Sequence, residues 1–266
     1  MPFQTTDFPG LFVFEPVVHN DSRGYFYESY NENTCRAFGI ETKFVQDNQA
    51  KSVYGVIRGM HYQLNPHAQT KFIRALSGTI LDVVLDIRKG SPTYGKHFSI
   101  ELSAENKRQL YIPHGFAHGY SVLSETAEVF YKCDAFYNKE TEAGVQFFDP
   151  ALAIDWKIPA DKQIISDKDK LHPTFKDCLS NFIFICLFAF LSVYLSVFFY
   201  LFVFLFYFLS VCLFFFLFVF FFICTSDPEP VVISVYTILS LEGVLTKNRP
   251  CTEVTRLVAT YNNPRA

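Results

Sequence analysis

The stretch Gly55-Val-Ile-Arg-Gly-Met-His-Tyr-Gln63 carries most of the information about the fold of this chain. Valine, isoleucine and tyrosine favour a β-strand, and Arg58 and His61 lie three residues apart within it. Side chains alternate between the two faces of a regular strand, so positions three apart point in opposite directions. For both side chains to line one pocket, the strand must bulge between them, and we expect the bulge at Gly59. A base beside a fixed cation suits chemistry on an anionic or carbonyl substrate.

Short runs of β-branched and aromatic residues recur around this stretch and predict further strands. Turn residues such as Ser77-Gly78 and Pro113-His-Gly115 separate these runs, which indicates an all-β antiparallel sandwich or jelly roll. A helix is expected from Glu32 to Phe38 with Asn31 as its N-cap, and a second, short helix over Ser103–Asn106. The predicted strands are Gly10–Phe14, Gly24–Tyr27, Lys71–Ala75, Thr79–Ile87, His97–Leu102, Gln109–Ile112, Tyr120–Leu123 and Glu128–Tyr131.

The composition divides the chain into unlike parts. Residues up to Cys178 carry 19 Lys and Arg against 22 Asp and Glu. This mildly acidic part has no basic cluster that would favour nucleic acid as a partner. Cys35 and Cys133 stand alone and form neither a disulfide framework nor a zinc motif, and no secretory signal is visible at the N-terminus. We therefore expect residues 1–178 to form a cytoplasmic domain.

A Phe-rich run follows this domain. The 49 residues from Cys178 to Ser226 contain no charged residue or histidine and hold 17 of the 32 phenylalanines. Because a bilayer is crossed by roughly 20 apolar residues, residues 179–226 predict one long or two tandem transmembrane helices. As one helix the run would extend about 70 Å, over twice the hydrocarbon thickness. The alternative is a translation artefact, since pyrimidine-rich codons specify this composition. Residues 227–266 form a short tail without a motif.

Two further histidines occur in Pro113-His-Gly-Phe-Ala-His-Gly119. This spacing can indicate metal ligands, but a jelly-roll metal site usually begins with a His-x-His pair. Gln63 stands where the second histidine of such a pair would fall, and no cysteine or carboxylate ligand lies in register, so we expect no metal site. We expect His118 instead to be buried and hydrogen-bonded next to a tight turn.

Three other residues are candidates for an acid–base site. Lys71 begins the next apolar stretch and would place a second cation near the first. Tyr131 is in phase with Val129 and is expected to face inward, as a proton donor or as an aromatic core residue. Asp169 is a surface charge if it stands alone, but it would orient the imidazole of His61 if it folded back against it.

Together these residues resemble the dTDP-4-dehydrorhamnose 3,5-epimerase family over about Phe3 to Thr174. The resemblance rests on the order and spacing of short blocks, and it stops near Cys178. The blocks are Asp21–Glu28, Phe44–Asn48, Gly55–Gln63, Ala68–Lys71, Asp82–Arg88, Leu102–Asn106, Ile112–Gly119 and Ser166–Asp169. The resemblance implies a cupin-type double-stranded β-helix (jelly roll) with short helices, which holds no metal or cofactor and dimerises by exchanging strands. The Phe-rich C-terminal extension has no counterpart in the family pattern.

The resemblance also implies a substrate, dTDP-4-dehydro-6-deoxy-D-glucose, and a role for each site residue. The C4 ketone acidifies the hydrogens on C3 and C5, so a base and an opposed acid invert both carbons through an enolate. His61 corresponds to the base and Asp169 to its orienting partner. Lys71 corresponds to the cation at the enolate oxygen, Tyr131 to the acid and Tyr137 to an aromatic residue stacked near the substrate. The residues implied to hold the nucleotide sugar are Arg23, Glu28, Gln46, Asn48, Arg58, His118, Glu142 and Lys168.

Two alternatives remain open. A 3-epimerase acting on a related nucleotide sugar would use the same base, lysine and tyrosine but reprotonate C3 alone. A non-catalytic jelly-roll sugar binder would need neither acid nor base, so the complete set of residues argues against it. The sequence does not distinguish a thymidine from a uridine nucleotide.

Overall fold

A computed structural model describes residues 2–184 and 187–225 of the chain. The described residues divide into two units between Tyr194 and Leu195. In the described residues the strands are β1 Phe3–Thr5, β2 Phe12–Phe14, β3 His19–Asp21, β4 Gly24–Phe26, β5 Gln46–Val53, β6 Val56–Gln63, β7 Lys71–Ser77, β8 Thr79–Asp86, β9 His97–Ser103, β10 Gln109–Ile112, β11 Phe116–Val122, β12 Thr126–Cys133, β13 Glu142–Gly144 and β14 Ile164–Ile165. The helices are α1 Glu32–Ala37, α2 Asp167–Lys170 and α3 Leu187–Thr225, with short 3-10 turns at Lys139–Thr141, Ala160–Lys162 and Phe175–Asp177.

Two sheets build the first unit. One has the strand order β1-β2-β10-β7-β12-β5, and the other has the order β13-β6-β11-β8-β9, with β14 parallel to β6. Strands β3 and β4 form a separate hairpin. A core cluster joins the sheets: Ile73 and Val129 of the first pack with Ile80, Val84 and Val122 of the second. Face-to-face burial of this kind is the basis of a β-sandwich or jelly roll, so the all-β prediction is confirmed.

One helix prediction is confirmed and the other is wrong. Asn31 caps α1, because its side-chain oxygen accepts hydrogen bonds from the backbone N–H groups of Asn33 and Thr34. The predicted helix over Ser103–Asn106 is a turn at the end of β9. The Ser103 hydroxyl accepts a hydrogen bond from the Asn106 backbone, and the Asn106 side chain accepts one from the Ser103 backbone, each at 3.0 Å. These local bonds take the place of helical ones.

Packing continues beyond Cys178, the predicted end of the domain. The Ser180 hydroxyl donates to the carbonyl of Ile87 at 2.6 Å, and Phe182 is buried in the core. Asn181 exchanges two hydrogen bonds with the backbone of Asn65, both 3.2 Å long. Residues 180–184 therefore belong physically to the folded unit, whereas the boundary at residue 178 stays a prediction.

The Phe-rich run contains the 39-residue helix α3. Its stretch Phe198–Leu217 is long and apolar enough to cross a membrane, and all of its side chains are exposed. The predicted tail of residues 227–266 lies outside the described residues.

Candidate active site

A cavity of about 510 Å³ opens between the two sheets of the first unit. It is bounded by strands of both sheets, by β14 and by the start of α2. The residues predicted from the sequence that line this cavity are Arg58, His61, Lys71, His118, Tyr131, Lys168 and Asp169. The fold therefore brings the whole proposed acid–base set, which spans more than a hundred residues of sequence, to one place.

A bulge in β6 directs Arg58 and His61 into this cavity. Opposite β6, His118 pairs with His61 and Tyr120 pairs with Arg58, so one residue of β11 faces two residues of β6. Gly59 lies at this irregularity with φ +126°, a conformation that residues with a side chain rarely adopt. The bulge predicted at Gly59 is confirmed.

His61 and Asp169 form a hydrogen-bonded pair. His61 Nε2 lies 2.7 Å from Asp169 Oδ1, and the backbone N–H of Gly59 donates to Asp169 Oδ2 at 3.4 Å. Burial alone would raise the pKa of Asp169, but His172 and His61 outweigh it and hold that pKa well below its usual range. A carboxylate only accepts hydrogen bonds, so Nε2 of His61 carries the proton. Its Nδ1 is left with a free lone pair, which is what a base needs.

Lys71 is a partly buried cation in the same cavity. Burial lowers the pKa of its ammonium group, against the opposing effects of Cys133, Asp82 and Glu142. No carboxylate among the described residues lies within ion-pair distance of Lys71. Its charge is therefore available to an oxygen of a ligand.

Tyr131 projects from β12 towards the same space, as its phase with Val129 predicted. The Lys71 Nζ lies 5.9 Å from the centre of the Tyr131 ring. Burial raises the pKa of Tyr131 to about 12, so its hydroxyl keeps its proton at neutral pH and is suited to donate it.

A second histidine–aspartate pair lies next to the first. His118 Nε2 is 2.9 Å from Asp82 Oδ2, and both residues are buried. Burial lowers the pKa of His118 despite the opposing effect of Asp82, which favours a neutral imidazole. His118 is thus buried and hydrogen-bonded, as predicted, while also lining the cavity.

Polar residues are linked at the rim of the cavity. Glu142 accepts a hydrogen bond from the Tyr137 hydroxyl at 2.7 Å and pairs with Lys168 at 2.6 Å. The side chain of Gln46 accepts from the backbone of Tyr137 at 3.2 Å and donates to Asn48 at 3.0 Å. Four predicted binding residues are therefore joined to Lys168, which itself lines the cavity.

Arg23 and Glu28 are not brought to this cavity within one chain. Arg23 lies at the turn of the β3–β4 hairpin and pairs with Asp21 at 2.6 Å. Glu28 accepts hydrogen bonds from the side chain of Asn31. Both residues line surface grooves formed by the hairpin region.

Three residues of the site were not predicted from the sequence. Tyr120 lines the cavity, and its buried hydroxyl has no hydrogen-bond partner among the described residues. Asp82 holds His118. His172 Nε2 lies 3.7 Å from Asp169 Oδ1. The sequence of β8 did indicate a role for Asp82, because a carboxylate inside an apolar run needs a buried partner.

Comparison with known proteins agrees with this geometry. The family model for dTDP-4-dehydrorhamnose 3,5-epimerase matches residues 5–177. A protein of that name from Shigella flexneri is 50% identical over 165 residues, which are 62% of this chain and 90% of that protein. The crystal structure of the epimerase from Elizabethkingia anophelis superposes with a TM-score of 0.64 at 52% identity, covering 66% of this chain and 96% of that one.

A second solved structure carries a ligand. The dTDP-6-deoxy-D-glucose-3,5-epimerase of Legionella pneumophila, in complex with dTDP-4-keto-L-rhamnose, superposes with a TM-score of 0.63 at 42% identity. The match covers 66% of this chain and 93% of that one. These structures confirm the cupin-type jelly roll expected from the sequence. The chain is an isomerase that belongs to the dTDP-4-dehydrorhamnose 3,5-epimerase family.

Proposed function

We propose that the protein epimerises dTDP-4-dehydro-6-deoxy-D-glucose at both C3 and C5, giving dTDP-4-dehydro-β-L-rhamnose for dTDP-L-rhamnose biosynthesis. The observation that carries the proposal is the placement of His61, backed by Asp169, in one cavity with Lys71 and Tyr131. The ligand of the Legionella structure supports the choice of nucleotide sugar.

His61 is the base in this proposal. Its Nδ1 takes the proton from a carbon next to the C4 ketone, and the imidazole becomes an imidazolium. Asp169 stabilises that cation through the 2.7 Å hydrogen bond and fixes the orientation of the ring. Because the pKa of Asp169 is held low, it stays a carboxylate throughout.

Lys71 stabilises the enolate that proton removal creates. The negative charge develops on the oxygen at C4, and a buried ammonium group stabilises such a charge more strongly than it would in water. Tyr131 then donates its proton to the opposite face of the carbon and inverts the configuration. The cycle repeats at the second carbon once the protons have been returned through solvent.

The remaining residues hold the nucleotide. The guanidinium of Arg58 suits a diphosphate, since its planar fork binds two oxygens at once. Lys168 adds a second positive charge at the cavity. Tyr137 has an exposed ring at the rim, where it can stack against the base or sugar.

Product analysis in deuterated water tests the proposal. We expect NMR of the sugar product to show deuterium at both C3 and C5, because each inverted carbon receives a solvent proton. Deuterium at C3 alone would make the protein a 3-epimerase, and no exchange at either carbon would leave only a sugar binder.

We also propose a homodimer in which the β3–β4 hairpin of each chain reaches the partner's site. Arg23 and Glu28 lie on or beside this hairpin rather than at their own cavity, and Tyr25 and Phe26 are exposed on it. Strand β5 is an edge of its sheet with one side unpaired among the described residues, which leaves room for a strand from a second chain.

Mixing two inactive variants tests this arrangement. Arg23→Ala and His61→Ala should each have little activity alone. Co-folded in equal amounts, they should regain about a quarter of wild-type turnover, because half of the dimers then carry one intact site. Size-exclusion chromatography with light scattering reports the dimer. Absence of rescue in a dimeric mixture would place Arg23 outside the partner's site.

The decline of kcat/KM at alkaline pH should follow the loss of the positive charge on Lys71. Burial lowers the pKa of Lys71, so its charge is lost at a pH below the usual pKa of a lysine side chain. Tyr131, by contrast, keeps its proton up to about pH 12. Activity should therefore fall before Tyr131 ionises. In Lys71→Arg the remaining activity should persist to higher pH, because a guanidinium stays charged. An alkaline limb at the same pH in both proteins would contradict this assignment.

The enzyme domain is proposed to be cytoplasmic, with α3 attaching it to a membrane wherever the Phe-rich run is translated. The full chain should then sediment with membranes, while a chain ending at Phe184 should stay in the supernatant and keep its turnover. Cutting after Phe184 preserves the packing of Phe182 and the hydrogen bonds of Ser180 and Asn181. A transcript with a stop or splice junction near codon 178 would show instead that the run is not made.

A further inference from the structure

His172 packs against the catalytic pair, and its role is not explained by the chemistry above. Its buried Nε2 has no hydrogen-bond partner among the described residues and lies 3.7 Å from Asp169 Oδ1. The rings of His172 and His61 are 5.4 Å apart and nearly perpendicular, at 74°. His172 helps to hold the pKa of Asp169 low, but the two atoms are too far apart for a good hydrogen bond, so the buried Nε2 is left incompletely satisfied.

The three side chains are spaced like metal ligands. One nitrogen or oxygen atom from each of His61, Asp169 and His172 lies within 4.8 Å of the others. Zinc–nitrogen bonds of 2.0–2.1 Å put neighbouring tetrahedral ligands about 3.3 Å apart. The observed separations are 2.7 Å from Asp169 to His61 and 3.7 Å from Asp169 to His172, one below and one above that value. Metal binding at this cluster therefore requires the first separation to lengthen and the second to shorten.

The His172 ring packs closely on the backbone at Gly144. A Cβ atom added at Gly144 would lie 2.5 Å from Cε1 and Nε2 of the His172 ring. Gly144 pairs with His61 across β13 and β6, so this glycine lets the His172 ring lie beside the base. A ligand that is already positioned loses little freedom when a metal binds.

We propose that His61, Asp169 and His172 form a site for a divalent transition metal such as Zn²⁺, and that metal bound there switches the enzyme off. Two imidazoles and one carboxylate are a ligand set that zinc uses, with a fourth position open to water. The set differs from the His-x-His pattern that Gln63 interrupts and shares only His61 with it. A reversible inhibitory site of this kind would make the enzyme sensitive to free zinc.

Inhibition follows from the chemistry of imidazole. In the metal-free enzyme the proton sits on Nε2 of His61, and Nδ1 holds the lone pair that accepts the substrate proton. A metal ion takes the Nε2 lone pair, so the ring proton moves to Nδ1 and no net proton is lost. Nδ1 then has no lone pair to act as a base. The ion lies on the Asp169 side of the ring, so the diphosphate contacts of Arg58 stay available.

Direct binding measurements test the site without any substrate. Untagged full-length protein is titrated with Zn²⁺ alone by calorimetry, and Co²⁺ is used as a spectroscopic probe of ligand geometry. We expect one site that His172→Ala weakens by at least about 100-fold, because one of three protein ligands is gone. His97→Ala, on β9 and outside the cluster, is the matched control and should bind as wild type does. His172→Gln provides a second variant of similar size should the alanine variant unfold.

The Zn²⁺ affinities of wild type and the His172 variants must be compared because free cysteines can also bind Zn²⁺. Cys178 and Cys212 are at least partly accessible and remain in every variant. Equal Zn²⁺ affinity in wild type and both folded His172 variants would overturn the proposal, because the thiols would then account for binding. Loss of affinity in His97→Ala as well would overturn it equally.

The predicted inhibition by Zn²⁺ rests on the proposed epimerase function, whereas the predicted binding of Zn²⁺ does not. Zn²⁺ should lower kcat of the wild type, extra substrate should not relieve the inhibition, and a chelator should restore activity. The affinity for dTDP should not change. His172→Ala, compared with its own metal-free rate, should resist the same Zn²⁺ concentration. Equal inhibition of both proteins, or relief by substrate, would refute a site behind His61. A protein that binds Zn²⁺ through His172 but turns over no substrate would refute the proposed function instead.

Discussion

Replacing His61 with alanine is expected to reduce turnover by at least about 10³-fold, since the proposed mechanism assigns removal of the carbon-bound proton to His61. The substitution removes the only proposed acceptor and leaves the low-pKa carboxylate of Asp169 behind it. Binding of dTDP should persist, because Arg58, Lys168 and the rim residues do not depend on the imidazole. Turnover is measured by NMR on the 4-keto sugar nucleotide, and dTDP affinity by calorimetry.

The control for this prediction is His97→Ala, which removes a histidine of β9 that is not among the residues lining the cavity. It should retain wild-type turnover. If His61→Ala keeps more than about a tenth of the wild-type rate, general base catalysis by His61 is refuted. If dTDP binding is lost together with turnover, the substitution has disturbed the pocket, and a conservative His61→Asn variant then tests the base alone.

The sequence predicted strands well where apolar residues recur and poorly where they do not. Strand β5, Gln46–Val53, was missed because six of its eight residues are polar or charged. It is a strand because all eight of its residues pair with β12, from Gln46 opposite Cys133 to Val53 opposite Thr126. That pairing partner lies some eighty residues away, so no local pattern could reveal it. An edge strand with one open side needs little apolar surface of its own.

The candidate site was predictable only in part, for a similar reason. His61, Arg58 and Gly59 are neighbours in sequence, so the geometry of a strand was enough to link them. Asp82 and Tyr120, by contrast, are brought together by register across β8 and β11. A register of this kind depends on tertiary structure, so neither segment alone shows which residue lies opposite.

Gly59→Ala is expected to destabilise the fold by at least about 3 kcal/mol and to lower turnover by about 100-fold or more. Two effects combine. The backbone at φ +126° is strained for any residue with a Cβ atom. That Cβ would also lie 2.5 Å from Gly119 Cα and 2.8 Å from the carbonyl oxygen of His118, and neither backbone atom can move without opening the β6–β11 pairing. Because His61 follows two residues later, relief of the clash displaces the base.

Gly39→Ala is the matched control for this prediction. Gly39 has φ +85°, but a Cβ atom there would meet nothing within 4 Å. This variant should lose only the stability that a Cβ atom at positive φ costs, about 1–2 kcal/mol, and should keep its turnover. Chemical denaturation measures both stabilities, and NMR assays measure both rates. The difference in free energy of unfolding between the two variants measures the cost of the steric clash between β6 and β11. A Gly59→Ala protein as stable and as active as Gly39→Ala would show that the bulge does not position His61, because a shifted base would then have no kinetic consequence.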